Sequence, residues 1–86
     1  AEMMQPNEAI KNYNKAIQIQ PDYAEAYNNL GNILKDLVKP NEAIKNYNKA
    51  IQLKPDYAEA YNNLGSVLAE MMQPNEAIKN YNKAIQ

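Results

Sequence analysis

The first eighteen residues of this chain are also its last eighteen. "AEMMQPNEAIKNYNKAIQ" occupies positions 1–18 and, unchanged, positions 69–86. The identity is one sign of a period that runs through all 86 residues. Pro6, Pro40 and Pro74 stand 34 apart, as do Tyr13, Tyr47 and Tyr81. Pro21 and Pro55, Tyr27 and Tyr61, and Gly31 and Gly65 keep the same spacing. Residues 19–52 and 53–86 agree at 25 of 34 positions, differing only at 19, 20, 32, 33 and 35–39. A period of this length marks a stacked array, in which each unit buries its apolar face against its neighbours. It predicts a partial unit over 1–18 and whole units over 19–52 and 53–86.

Each unit reads as two helices. "PDYAEAYNNLGNILKDLV" opens with Pro21 and Asp22, a helix-start signal. Tyr27, Leu30, Leu34 and Leu37 then follow at helical spacing. "PNEAIKNYNKAIQLK" opens with Pro40 and carries Ala43, Ile44, Tyr47, Ala50 and Ile51, again three or four apart. Pro55 stops it. With the first kind named helix A and the second helix B, the chain reads: tail of A over 1–4, B over 6–19, A over 22–38, B over 40–53, A over 56–72, B over 74–86. The A-to-B turn lacks glycine: it is "LVKP" at 37–40 and "MMQP" at 3–6 and 71–74. A left-handed residue at Val38 or Met72 would cost about 1–2 kcal/mol. Proline offers another stop, because it disfavours helix in the residue before it. A sharp break is therefore expected at Lys39, Gln5 and Gln73. The alternative, one kinked helix through the proline, would free helices for exchange between chains.

Composition removes most chemistry. His, Cys, Arg, Thr, Trp and Phe are absent, and Ser66 is the one aliphatic hydroxyl. Ser–His–Asp, Cys–His and His-based zinc sites cannot be assembled from such a chain. No catalytic, cofactor-binding or metal-binding residue is assigned, and the chain is expected not to be an enzyme. Nine lysines against ten acids give a net charge of −1, which supplies no nucleic-acid groove or polybasic membrane anchor. No apolar run approaches the roughly 20 residues that span a bilayer. Residues 1–18 are too polar, and too broken by Pro6, for a signal peptide. A soluble chain is expected, cytoplasmic if natural, with modest stability for its size.

The spacing Tyr27, Leu30, Gly31, Leu34, Ala43, Tyr47, Ala50, Pro55 resembles the tetratricopeptide repeat. Tyr61, Leu64, Gly65, Leu68, Ala77, Tyr81 and Ala84 give a second copy. The resemblance covers the whole chain. It implies an all-α fold, an α-solenoid of antiparallel helix hairpins wound into a right-handed superhelix of 34-residue repeats. Gly31 and Ala43 are small enough for close helix approach, with Tyr27 and Tyr47 filling the gaps. The family usually has glycine near the A-to-B turn, and this chain departs there.

The resemblance further implies that helices A line a concave groove and helices B form its outer wall. Asn28, Asn29, Asn32 and Glu25 of one unit, and Asn62, Asn63, Ser66 and Glu59 of the next, then become candidate peptide-binding residues. An Asn side chain carries an acceptor and two donors, so it can pair with a peptide's own N–H and C=O. The pattern is similar to the asparagine ladder in the repeats of O-linked N-acetylglucosamine transferase, with Asn29 and Asn63 at the matching positions. A carboxylate clamp, used by other members for acidic tails, does not fit. Arg is absent, Lys35 becomes Ala69, and Glu25, Glu59, Asp36 and Glu70 would repel an acidic tail. Lys11 and Lys15, Lys45 and Lys49, and Lys79 and Lys83 read as a solvated convex face, screened by Glu8, Glu42 and Glu76. The methionines at 3–4 and 71–72 read as core filling, and Tyr23 and Tyr57 as packing between units.

The implied function is non-catalytic binding of an extended peptide or protein segment in the helix A groove. The competing reading is an idealised or designed array whose role is folding or self-assembly. The unchanged 18-residue repeat favours it, since natural repeats drift apart. Both ends fall inside a unit. Ile10, Tyr13 and Ile17 at the front, and Tyr81, Ala84 and Ile85 at the back, then lack cover. End-to-end packing between chains is expected, or cover by a neighbouring copy in a longer array.

Overall fold

The computed structural model describes residues 5–71 and 73–85. Among the described residues five helices follow one another: α1 (Pro6–Ile19), α2 (Ala24–Asp36), α3 (Pro40–Leu53), α4 (Ala58–Glu70) and α5 (Pro74–Ile85). Among the described residues there is no strand. Helices α2 and α3 pack as one hairpin and α4 and α5 as the next; α1 lies on α2, and α3 on α4. This is an α-solenoid of helix hairpins. Among the described residues, no helix is long and apolar enough to cross a membrane. The tail of helix A expected over 1–4, with Met3 and Met4, lies outside the described residues, as does Met72.

The B-type helices begin and stop where proline dictates. Proline is the first residue of α1 and α3, where its fixed φ suits a helix and its missing N–H loses nothing. Gln5 ahead of α1 is extended, at φ −66° and ψ 140°. At the far end, Gln20 and Lys54 leave the helix at ψ 88° and 86°, each just before a proline.

The A-type helices are shorter than the sequence predicts, starting at Ala24 and Ala58 rather than at 22 and 56. Pro21 and Asp22 fold into a turn instead of a first helical turn. The Tyr23 N–H donates to the Gln20 carbonyl at 3.1 Å, and Tyr57 repeats this with Lys54 at 3.0 Å. Proline supplies the φ that the second residue of such a turn requires.

The A-to-B connection combines both stops. The backbone breaks at Lys39, as expected, and the chain reverses instead of continuing as a kinked helix. Pro40 nevertheless does not spare Val38 the left-handed conformation, which it adopts at φ 58°. The Lys39 N–H reaches the Leu34 carbonyl at 2.9 Å, and the Val38 N–H reaches Lys35 at 3.0 Å. These are the paired bonds of a Schellman turn, a position usually given to glycine. Gln73 repeats the longer bond, to Leu68, at 2.9 Å.

Leu30, Leu34, Ala43, Tyr47, Leu64, Val67, Leu68 and Ala77 form the main core. Ala24, Ala50, Tyr57 and Ala60 form a second cluster between hairpins, with Tyr27 against it. Tyr47 is wholly buried, its ring laid over Gly31. Leu37 and Met71 are half-buried at the ends of the A-type helices, and Met71 packs on the core.

Candidate functional site

Helices α2 and α4 lie side by side. Residues three or four apart on a helix share a face. Glu25, Asn28, Asn32 and Asp36 therefore stack along α2, while Glu59, Asn62 or Asn63, Ser66 and Glu70 stack along α4. The structure separates the members of this set by environment.

Asn28 is fully buried. Its Nδ2 donates to Glu59 Oε1 at 3.2 Å, and its Oδ1 accepts from Asn63 Nδ2 at 3.1 Å. Asn28 thus ties α2 to α4. Asn62, its counterpart one period later, is exposed. Asn29 and Asn63 are half-buried. Asn32 is also half-buried and accepts a hydrogen bond from the Tyr47 hydroxyl at 2.5 Å. Ser66 is half-buried in the equivalent place on α4. Glu25 and Glu59 are exposed. Glu25 pairs with Lys54 at 3.9 Å, and the Lys54 ammonium sits 4.7 Å above the Tyr57 ring.

The phenols report the local field. Burial, then Asp36 and Glu70, push the Tyr47 hydroxyl up to about 12. Burial, then Glu59 and Glu25, raise Tyr57 as well, while its hydrogen bond with Asn28 pulls the other way. Both phenols keep their protons at neutral pH, and Tyr47 serves there as a donor and not as a base. Among the described residues no cluster of acids could hold a metal ion. What the surface offers is amides, carboxylates and a few hydroxyls, chemistry for hydrogen-bonded recognition.

Sequence reading missed Lys54 as a member of this seam. The signal was present in one of the few positions where the units differ: Lys54 stands where the previous unit has Gln20. Its partner, Glu25, lies at the start of α2, brought to the exit of α3 by the closing of the hairpin, beyond any helical spacing rule.

The family model described as TPR repeat matches residues 5–38 and 39–71, and that described as tetratricopeptide repeat matches residues 58–86. The chain belongs to the tetratricopeptide repeat family. Solved tetratricopeptide-like structures share its fold. A crystal structure of MamA superposes with a TM-score of 0.89 at 31% identity, covering 93% of this chain and 47% of that one. A second MamA structure gives 0.87 at 31%, covering 93% and 44%. The second TPR of Spaghetti (RPAP3), bound to the HSP90 peptide SRMEEVD, gives 0.88 at 24%, covering 93% and 74%. The tetratricopeptide chain described here thus spans less than half of the MamA chains. No curated protein matches it.

Proposed function

We propose that the face shared by α2 and α4 binds an extended peptide, with Asn29 and Asn63 pairing to its backbone. The role is that of a non-catalytic interaction scaffold. The observation that carries this reading is the anchoring of Asn63 by Asn28. One Asn63 N–H is spent on Asn28, which holds the amide in place. Its second N–H and its carbonyl oxygen remain for a ligand. Such an amide is ordered before the peptide arrives, which lowers the entropy lost on binding. Glu25, Glu59, Asn32, Asn62 and Ser66 border it, and Asn28 acts through Asn63. Peptide binding by the RPAP3 repeat domain, which has the same fold, agrees with a groove of this kind. Amide NMR spectra of the 86-residue chain, titrated with a library of extended peptides, test the reading. Shifts centred on Asn29 and Asn63 support it; binding that perturbs only α1, α3 and α5 overturns it.

A second reading, assembly through helix faces, draws on the cleft beside α5. Pro55, Ala58, Tyr61, Ala84 and Ile85 line it. Their counterparts one period earlier are Pro21, Ala24, Tyr27, Ala50 and Ile51. There Ala24 and Ala50 are buried beside α4; here Ala58 is exposed, and Ile85 is 83% exposed. A helix with the pattern of α4, from a further repeat or a second copy, fits this cleft. Sedimentation of the chain across a wide concentration range decides whether copies supply it.

A further inference from the structure

The net charge of −1 conceals a separation between layers. Helices α2 and α4 carry four carboxylates, Glu25, Asp36, Glu59 and Glu70, against one lysine, Lys35. Helices α1, α3 and α5 together carry three glutamates against six lysines. Two of those glutamates pair locally: Glu42 meets Lys39, and Glu76 meets Lys79, each at 4.0 Å. On the α2–α4 side, among the described residues, only Glu25 has a cation, Lys54. Among the described residues, Asp36, Glu59 and Glu70 form no ion pair.

These carboxylates fall into two rows. Glu25 and Glu59, one period apart, both act on the Tyr57 phenol. Asp36 and Glu70, also one period apart, both act on the Tyr47 phenol. Each row therefore crosses from α2 to α4, one near the start of the helices and one at their end. Asn29 and Asn63 lie between the rows. At about 1.5 Å per residue, Asn29 stands about 6 Å from the level of Glu25 and about 10 Å from that of Asp36. The second row sits at helix C-termini, where backbone carbonyls already concentrate negative charge. Lys35 shares a small cleft with Glu70, Val38 and Pro40, but among the described residues forms no ion pair there.

A peptide that pairs with Asn29 and then Asn63 must cross α2 and α4, running between the two rows. Successive side chains of an extended peptide point to opposite sides. One set then faces Glu25 and Glu59, the other Asp36 and Glu70. Lys and Arg side chains are long enough to reach across such a gap, with a flexible stem and an exposed charge. We infer that this groove selects an extended segment bearing Lys or Arg on both sides of its backbone, and disfavours an acidic one. The inference rests on the groove reading above. It sets this chain apart from the RPAP3 repeat, whose bound peptide SRMEEVD is rich in acids.

The test uses dye-labelled peptides of equal length, in which adjacent pairs of lysine, glutamine or glutamate alternate with pairs of small residues, so that both sides of the extended backbone carry the test residue, with SRMEEVD as a further acidic probe. Anisotropy at low salt is expected to show the lysine peptide binding roughly tenfold tighter than the glutamine peptide, with both acidic peptides weakest. High salt should narrow the gap, because exposed charges are screened. The double variant Asp36→Asn, Glu70→Gln should lose the part of the lysine preference that this row supplies, and keep its affinity for the glutamine peptide. Equal binding of lysine and glutamine peptides, or preference for an acidic one, overturns the charge selection and leaves the groove standing. Failure of every peptide to bind overturns the groove reading, and this inference with it.

Discussion

The Tyr47 ring rests against the Gly31 backbone so closely that a Cβ at Gly31 would lie 2.6 Å from Cε1. Tyr47 is wholly buried and its hydroxyl is held by Asn32, so the ring has nowhere to retreat. Gly31→Ala should therefore destabilise the chain by about 1–3 kcal/mol, despite the better helix propensity of alanine. Gly65→Ala should be milder, since its Cβ would meet the half-buried Tyr81 ring at 3.0 Å. Urea unfolding of the two variants gives the comparison. An unaffected Gly31→Ala protein would mean that the hairpin opens without penalty.

Two asparagines in the same local sequence should behave differently. Asn28→Ala removes a buried amide that bonds Glu59 and Asn63, and should lose about 1–3 kcal/mol of stability. Asn62→Ala, at an exposed site, should stay within about 0.5 kcal/mol of the parent. Equal losses would show that the seam contributes nothing beyond the local helix.

Val38 is 83% exposed and left-handed, so its side chain gives little packing in return for its strain. Val38→Gly should stabilise the fold by about 1 kcal/mol, because glycine reaches this conformation without a Cβ clash. A lower thermal midpoint for the variant would contradict this account of the turn.

For the groove, Asn29→Ala with Asn63→Ala should weaken binding of an extended peptide by about 1–3 kcal/mol, with little change in helicity. Isothermal titration, with circular dichroism alongside, separates the two effects. Unchanged affinity would remove these residues from the site.

Alkaline stability follows from Tyr47. Its folded-state value of about 12 lies above the ordinary 10 of the unfolded chain. The unfolded chain therefore loses this proton first, and folding holds it. The contribution is complete below pH 10 and disappears as pH rises from 10 to 12, at up to about 1.4 kcal/mol per pH unit. Tyr47→Phe should flatten that part of the pH profile, while lowering stability at pH 7 through the lost bond to Asn32. A profile that falls as steeply in the variant would assign the effect to other groups.

What could be read from the sequence depended on how local each cause was. The B-type helices of the first two units were legible to the residue, because proline bounds them on both sides. The A-type ends were not. Pro21 serves equally well in a turn or at a helix start, and the bond from Tyr23 to Gln20 decides between them. The candidate asparagines were visible as a repeated set, but their separate environments were not. Asn28 and Asn62 sit in the same "YNNLG"; only α4, arriving from the next unit, distinguishes them. The Glu25–Lys54 pair is likewise invisible to helical spacing, because hairpin closure brings the start of α2 to the exit of α3.

The amide of Asn28 fixes more than a contact. It lies off the apolar core and locks one A-type helix to the next, so it acts on the angle between hairpins. In a periodic stack every joint passes its angle on to the units beyond it. A change too small to notice in one Asn28–Asn63 bond would therefore accumulate along a longer array as a change in curvature. The width of the groove proposed along the A-type helices would change with it.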